Sequence, residues 1–375
     1  RPVRLGYRER RVAGARGRIP RCRERRMPLS VALIAYPLAL VGPACVGGAE
    51  EIVRVLDERL HAGGHHVIVV AQEGSEVHGT LVPIPASDGL FDARAREQAS
   101  RSTALAIEYV LGRWPIDVVH FHGLDFPACL PRTHAQMIAT LHLPIDWYPA
   151  SALRAVADRV RFVCVSGSQR RSAEAAGLAT DLIENGVDVT PLPINRKRAY
   201  AAALGRICPE KSFHEALDAA RAADVDLLLA GRAFPFEEHQ RYFHEVIQPR
   251  LDGRRRFIGP VNAAEKRQLL ARARCLLVTS RAAETSSLVA MEALALGTPV
   301  VTFPSGALPE IVDDRRTGFI VDGVREMATA IHAVDAIRAE DCRSAALDRF
   351  SADRMVAEYV RRYEDCRKER APACV

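Results

Sequence analysis

Two glutamates eight positions apart, Glu284 and Glu292, bracket the start of a helix. Thr285, Ser286 and Ser287 are all good N-cap residues, and residues 288–296 are a run of strong helix formers closed by Gly297. Pro299-Val300-Val301 then reads as a short buried strand. The free N–H groups and positive dipole end of a helix N-terminus suit a phosphate. Carboxylates beside a phosphate need another reason to be there, and sugar hydroxyls supply one. A second pair, Arg206 and Lys211, flanks another expected helix start: a strand over 199–204, then Gly205-Arg206-Ile207-Cys208-Pro209-Glu210-Lys211, then a helix over 212–222. Two cations at that position suit a diphosphate.

Further candidates lie in the first half. Gly47-Gly48-Ala49-Glu50 closes a loop between a strand at 29–34 and an amphipathic helix at 51–62; a second strand, 66–71, follows. This is the opening unit of a doubly wound sheet, although Gly-Gly alone reads equally as a plain turn. His122 follows a strand at 116–121, and His142 follows one at 137–141. In such sheets ligands bind beyond the C-terminal strand ends, so both face the expected cleft. A lone histidine in that place also reads as structural. After His142, Asp146 and Trp147 offer a carboxylate and an aromatic face for a sugar acceptor, or a packed connecting loop.

Taken together these motifs resemble family 4 glycosyltransferases, which are retaining enzymes with the GT-B fold. The similarity is carried by Glu284-x7-Glu292 with Ala-Leu-Ala-Leu-Gly-Thr-Pro-Val-Val, then Gly-Ala-Leu-Pro-Glu-Ile-Val and Thr-Gly-Phe-Ile-Val. It extends to the Gly-Arg-x-x-Pro-Glu-Lys of residues 205–211, Thr140-Leu141-His142, Asn185-Gly186-Val187-Asp188 and Gly47-Gly48-Ala49-Glu50. The resemblance covers most of residues 29–366. It implies Arg206 and Lys211 on the donor pyrophosphate, Glu284 on the donor sugar, Glu292 on the ribose and His142 near the sugar. It also implies donor contacts at Gly47, Gly48, Gly205, Gly231, Gly259, Ser287, Leu288 and Val289. Glu50, His122, Asp146 and Trp147 are the expected acceptor side. One departure stands out: Thr285-Ser286-Ser287 replaces the family's usual Pro-Phe-Gly, and Ser287 adds a side chain where glycine would let the backbone approach the donor.

The elements needed to position these residues follow from alternating strand and helix patterns, which imply parallel sheets. The expected architecture is α/β: two Rossmann-like domains facing a cleft, 28–190 plus 351–368 and 191–350, with a C-terminal helix crossing back to the first. Further helices are expected at 91–111 and 237–251, a strand at 161–166, and a linker at 189–198. A basic face on the helix at 91–111 reads as a solvated surface; in family members acting on lipids such faces touch anionic membranes.

The 375 residues suffice for two cores, and 48% hydrophobic with 26% charged residues fits a globular protein. The net charge of +6 is misleading. Residues 1–27 hold eleven arginines and two glutamates, a surplus of nine, so the rest of the chain is net −3. The basic character is therefore that of the tail, which removes the case for nucleic-acid binding. The tail itself reads as an upstream translation artefact before Met27, a disordered basic arm or a transit peptide. The nine cysteines show no Cys-x-x-Cys spacing and read as reduced core residues with no metal site. The one Asp-x-Asp, Asp224-Val225-Asp226, leads into a strand and so falls at the end away from the cleft. The expected enzyme is a metal-independent, cytoplasmic glycosyltransferase without cofactor, with peripheral contact at the inner membrane face left open. It uses a nucleoside-diphosphate sugar and a hydroxyl acceptor. The alternatives are a catalytically weakened nucleotide-sugar binder, or a sugar phosphorylase or synthase on the same fold.

Overall fold

The apolar runs assemble into two parallel sheets. A computed structural model describes residues 27–43, 45, 47–86, 93–189, 199–234 and 236–370. The expected linker lies almost wholly outside these, as does the basic tail. The first sheet contains, among the described residues, β1 (Ser30–Ile34), β2 (His66–Gln72), β3 (Thr80–Ile84), β4 (Val118–Phe121), β5 (Gln136–Leu141), β6 (Val160–Cys164) and β7 (Thr180–Leu182). Their spatial order is β3-β2-β1-β4-β5-β6-β7. The second contains β8 (Tyr200–Arg206), β9 (Asp226–Arg232), β10 (Arg255–Gly259), β11 (Cys275–Val278), β12 (Val300–Thr302) and β13 (Gly318–Ile320), in the order β10-β9-β8-β11-β12-β13. Every pairing is parallel. Strand order reverses between β1 and β4 and again between β8 and β11, and the crevice beyond those strand ends is where ligands bind in such sheets. Both sheets are buried on two faces, and four apolar clusters fill the layers between sheet and helices.

The C-terminal helix, Ala352–Arg370, belongs to the first sheet's core. Met355, Tyr359, Tyr363 and Cys366 are fully buried there against Val31, Leu33 and Val69. Its polar tips are matched too: the Tyr359 hydroxyl meets Thr140 Oγ1 at 2.8 Å and the Tyr363 hydroxyl meets His120 Nδ1 at 2.7 Å. Where the chain returns, Val187 N donates to the Phe350 carbonyl at 2.8 Å and Ala352 N to the Val187 carbonyl at 2.9 Å. Gly186 lies so close that a Cβ there would sit 2.6 Å from the Ser351 carbonyl oxygen. The two passages between the sheets are thus hydrogen-bonded to each other.

Several expectations need correction. The strand β3 was not expected: Pro83 breaks the pattern, and the fold tolerates it because β3 is an edge strand. The first helix begins at Gly48 rather than at residue 51. The strand expected through residue 166 ends at Cys164, since Ser166 caps the helix Gly167–Ala175 by accepting from Gln169 N at 3.1 Å. The single helix expected over 237–251 is instead an α-turn Glu237–Arg241, a π-helical turn Tyr242–Ile247 and a 3-10 turn Gln248–Arg250, with Pro249 denying an amide to continue the ladder. The Asp-x-Asp is structural as read. Arg254 clasps both carboxylates, Asp226 at 2.7 Å, at the N-terminal end of β9. No helix among the described residues is long and apolar enough to cross a membrane.

Candidate active site

Strand β8 runs out through Gly205 and Arg206 into a 3-10 turn, Pro209–Lys211, and β11 runs out into the loop that precedes the helix Leu288–Ala295. The two loops are stitched together by main-chain contacts: Arg281 N donates to the Glu210 carbonyl at 2.9 Å and Thr279 Oγ1 to the Lys211 carbonyl at 2.9 Å. This brings Lys211 onto Glu284. The ammonium ion-pairs with Glu284 Oε1, and the Ser280 hydroxyl donates to the same oxygen. Residues seventy-three positions apart therefore form one polar unit in the cleft. The Glu284 main chain is fixed from behind. Ala307 N donates to its carbonyl at 2.7 Å. Gly306, at φ +57, packs so tightly that a Cβ would lie 2.2 Å from that oxygen.

Arg206 stands exposed at the end of β8. Beneath it the backbones of β8 and β9 meet at Gly205 and Gly231; a Cβ on Gly231, at φ +150, would lie 1.9 Å from the Gly205 carbonyl. Gly259, at φ +76, has open space beside it. Next to it opens a cleft of about 340 Å³ lined by Ile258, Pro260, Val261, Glu265, Gln268 and Leu269.

The expected caps at 285–287 behave differently from the sequence reading. Ser287 occupies the N-cap position, yet none of the three hydroxyls makes a cap hydrogen bond: that of Ser287 has no such bond. The Thr285 hydroxyl goes instead to the His142 carbonyl at 2.8 Å, and Ser286 Oγ is buried without a partner. Leu288 packs into the cores on both sides and lies over Gly48, and Val289 packs into the second-sheet core. Glu292, one turn further, is half-buried. Desolvation raises its carboxyl above the usual range, opposed by the ammonium of Lys266, 2.6 Å away. Lys266 is correspondingly held above its ordinary range: burial acts against the charge, and Glu292 with Glu51 outweighs it. Lys266 was not among the expected site residues, since nothing in its own segment marks it.

On the opposite wall, Gly47 caps the helix Gly48–Ala62 and the Glu50 carboxylate folds over it; a Cβ on Gly47 would lie 1.8 Å from Glu50 Oε2. Burial raises the Glu50 carboxyl, with its own main-chain N–H and Arg206 opposing. His122 Nδ1 and His142 Nε2 are 2.9 Å apart and their rings are stacked. Desolvation pushes His142 down to about 4, and it pushes His120 and His122 well below the ordinary histidine range with help from their neighbours. The three imidazoles are therefore neutral near pH 7. His122 Nε2 is buried without a partner. Asp146 and Trp147 lie on an exposed 3-10 turn, Ile145–Trp147, and among the described residues neither makes a side-chain hydrogen bond or ion pair with the other candidates. Lower in the cleft, Glu310 accepts from Gly167 N at 2.9 Å and pairs with Arg171 at 2.8 Å, a cross-cleft contact the sequence reading did not contain.

A family model described as glycosyltransferase family 4 matches residues 46–190, and one described as glycosyl transferases group 1 matches residues 198–335. A phosphatidyl-myo-inositol mannosyltransferase from Mycobacterium leprae is 27% identical over 351 residues, covering 85% of this chain and 89% of that protein. Among solved structures, AviGT4, a glycosyltransferase involved in avilamycin A biosynthesis, superposes with a TM-score of 0.68 at 25% identity, over 91% of this chain and 98% of its own. Anabaena Alr3699/HepE, solved with UDP and glucose, superposes with a TM-score of 0.69 at 18% identity, over 89% and 99%. With its two doubly wound sheets and the two family matches side by side along its length, the chain belongs to the family 4 glycosyltransferases of the GT-B fold.

Proposed function

We propose that this glycosyltransferase transfers a sugar from a nucleoside-diphosphate sugar to an acceptor hydroxyl with retention and without a catalytic metal. The observation that carries the reading is the Lys211–Glu284 pair, formed by the segments that leave the C-terminal ends of β8 and β11, with Arg206 closing β8. A leaving diphosphate needs fixed positive charge where negative charge develops, and each such preorganised donor is worth about 3 kcal/mol of barrier. Arg206, Lys211 and the N–H groups opening the helix Leu288–Ala295 would supply it. Glu284, released from Lys211 as the ammonium turns to phosphate, would accept sugar hydroxyls. Glu292 would accept from the ribose, with Lys266 keeping it ionised. Neutral His142 can donate to or accept from the sugar, and the leaving phosphate would take the acceptor proton. Closure of the two domains would exclude water. Solved GT-B neighbours binding UDP and glucose support the donor class, and a relative acting on phosphatidyl-myo-inositol keeps a lipid-linked acceptor among the candidates.

Thermal unfolding with UDP, GDP, ADP and TDP in turn tests this. A ligand at a hundredfold its Kd adds about 2.7 kcal/mol. One nucleotide should stabilise the wild type and fail to stabilise Lys211→Ala. If none does, the binding reading falls. If one binds and no sugar from that series is turned over, the weakened-binder reading, motivated by the serines at 286 and 287, replaces catalysis.

A further inference from the structure

In and beside the Arg206 loop, three metal-ligating side chains converge that the proposed reaction does not use. Cys208 immediately precedes the turn Pro209–Lys211, Glu210 lies within it, and His239 comes from the short helix Glu237–Arg241 after β9. Their Sγ, carboxylate oxygen and imidazole nitrogen lie within 4.8 Å of one another. The Glu210 carboxylate hydrogen-bonds the Cys208 thiol, yet two atoms of the cluster have no partner. Glu210 Oε2 and His239 Nδ1 are buried with no hydrogen-bond partner, and the His239 side chain belongs to a residue only 9% exposed. A buried imidazole nitrogen and a buried carboxylate oxygen are costly to leave unpaired, so each requires an explanation.

We infer that Cys208, Glu210 and His239 form a binding site for one thiophilic divalent cation of the zinc class. A thiolate, an imidazole and a carboxylate are a zinc ligand set; hard cations such as magnesium and calcium take oxygen ligands instead. Two ligand atoms on a tetrahedral zinc, with bonds of about 2.0–2.3 Å, stand roughly 3.5 Å apart, so the cluster closes onto an ion by about 1 Å. Glu210 has room to make that movement, being only half-buried. The other arm is already anchored: Tyr242, next after the helix bearing His239, reaches His214 Nδ1 at 3.0 Å. The Cys208 proton leaves to solvent on binding, from a thiol that burial, with Glu210 beside it, pushes up to about 11. Three protein ligands leave a fourth position for water. The ion ties the β8 and β9 loops together and so holds the turn between Arg206 and Lys211, separate from the metal-free transfer chemistry.

The test is a zinc titration of the full chain, stripped with chelator, against a chromophoric competitor, with cobalt(II) as a spectroscopic stand-in. The wild type should bind one equivalent and, with cobalt, show a thiolate-to-metal charge-transfer band. Cys208→Ser and His239→Asn should each bind more than about 100-fold more weakly, since losing even an outer-shell partner of a metal ligand costs 10–100-fold. The Cys208→Ser variant should lose the band, whereas Cys45→Ser should keep both equivalent and band. Far-ultraviolet dichroism of the metal-free variants checks that they fold. If one does not, the other and Glu210→Gln carry the comparison. A wild type without the band, or an equivalent that survives all folded variants, overturns the site.

Discussion

The Thr285 hydroxyl donates to the main-chain carbonyl of His142 at 2.8 Å, joining the donor loop after β11 to the loop after β5. The residue that departs from the family pattern thus makes a direct bond across the cleft. Removing the hydroxyl while keeping the shape, Thr285→Val, should lower stability by about 1 kcal/mol, the net worth of a typical hydrogen bond. Urea unfolding would show it as a lower midpoint at unchanged slope; an unmoved midpoint would mean the bond contributes nothing in solution.

Glu284→Gln keeps the size of the side chain but removes the charge facing Lys211. Turnover should fall about 10²–10³-fold if Glu284 orders the donor sugar in the transition state. Nucleotide binding, which the proposed mechanism assigns to Lys211, should survive. Calorimetry with the nucleotide alone beside steady-state rates separates the two. A rate within a factor of about 3 of wild type would take Glu284 out of the reaction.

Lys266→Met strands Glu292, which is half-buried and pairs with Lys266 of the helix Ala263–Arg272. Breaking a fully buried pair costs about 3–5 kcal/mol. Lys266 is partly exposed, so about 1–2 kcal/mol is expected here. The carboxyl should then protonate more readily, and nucleotide affinity should weaken as pH drops, more steeply than in the wild type. Affinity curves for the two proteins that run parallel with pH would count against Lys266 as the group keeping Glu292 ionised.

The imidazoles of His120 and His122 are buried and that of His142 is half-buried, and desolvation holds all three neutral. Their folded pKa values lie below the unfolded value of about 6.5, so the unfolded chain binds protons first as pH falls. Their contribution is complete above pH 6.5 and is lost on descending toward about 4, the value for His142. Each histidine can add a slope of up to about 1.4 kcal/mol per pH unit in that window. Melting temperatures measured from pH 7.5 to 5 should decline, and His142→Gln should flatten the decline. Equal slopes in the two proteins would show that His142 is not held neutral.

Gly306→Ala forces a methyl against the Glu284 carbonyl at a φ of +57. A loss of at least about 2 kcal/mol is expected, since both steric overlap and a left-handed backbone are involved. Gly64→Ala makes a comparison. It has a similarly positive φ but nothing within 4 Å, so it reports backbone strain alone and should cost less.

Legibility tracked whether a partner lies in the same stretch of chain. The alternation of strand and helix was readable because it is local, and it placed Arg206 at the end of β8, Lys211 and Glu284 in the segments that follow β8 and β11, and Glu292 in the helix after β11. The contacts those residues make were not readable. Lys211 meets Glu284 only after β8 and β11 lie side by side, and Lys266 meets Glu292 only once the helices before and after β11 pack together. Likewise Gly306 reads as one turn glycine among many until Glu284 packs on it. Strand β3 was hidden by Pro83, a residue that excludes central strands but not edges. The helix over 237–251 looked continuous because hydrophobic periodicity does not register a π-turn.

The burial of Tyr359 and Tyr363 under β1, β4 and β5 has a consequence for biosynthesis. The core of the first sheet cannot close until residues 352–366 have been made, whereas the cores of the second sheet use nothing beyond Phe350. The order of folding on the ribosome should therefore run against the order of synthesis: the later sheet closes first, and the earlier one waits, still open, for the helix Ala352–Arg370.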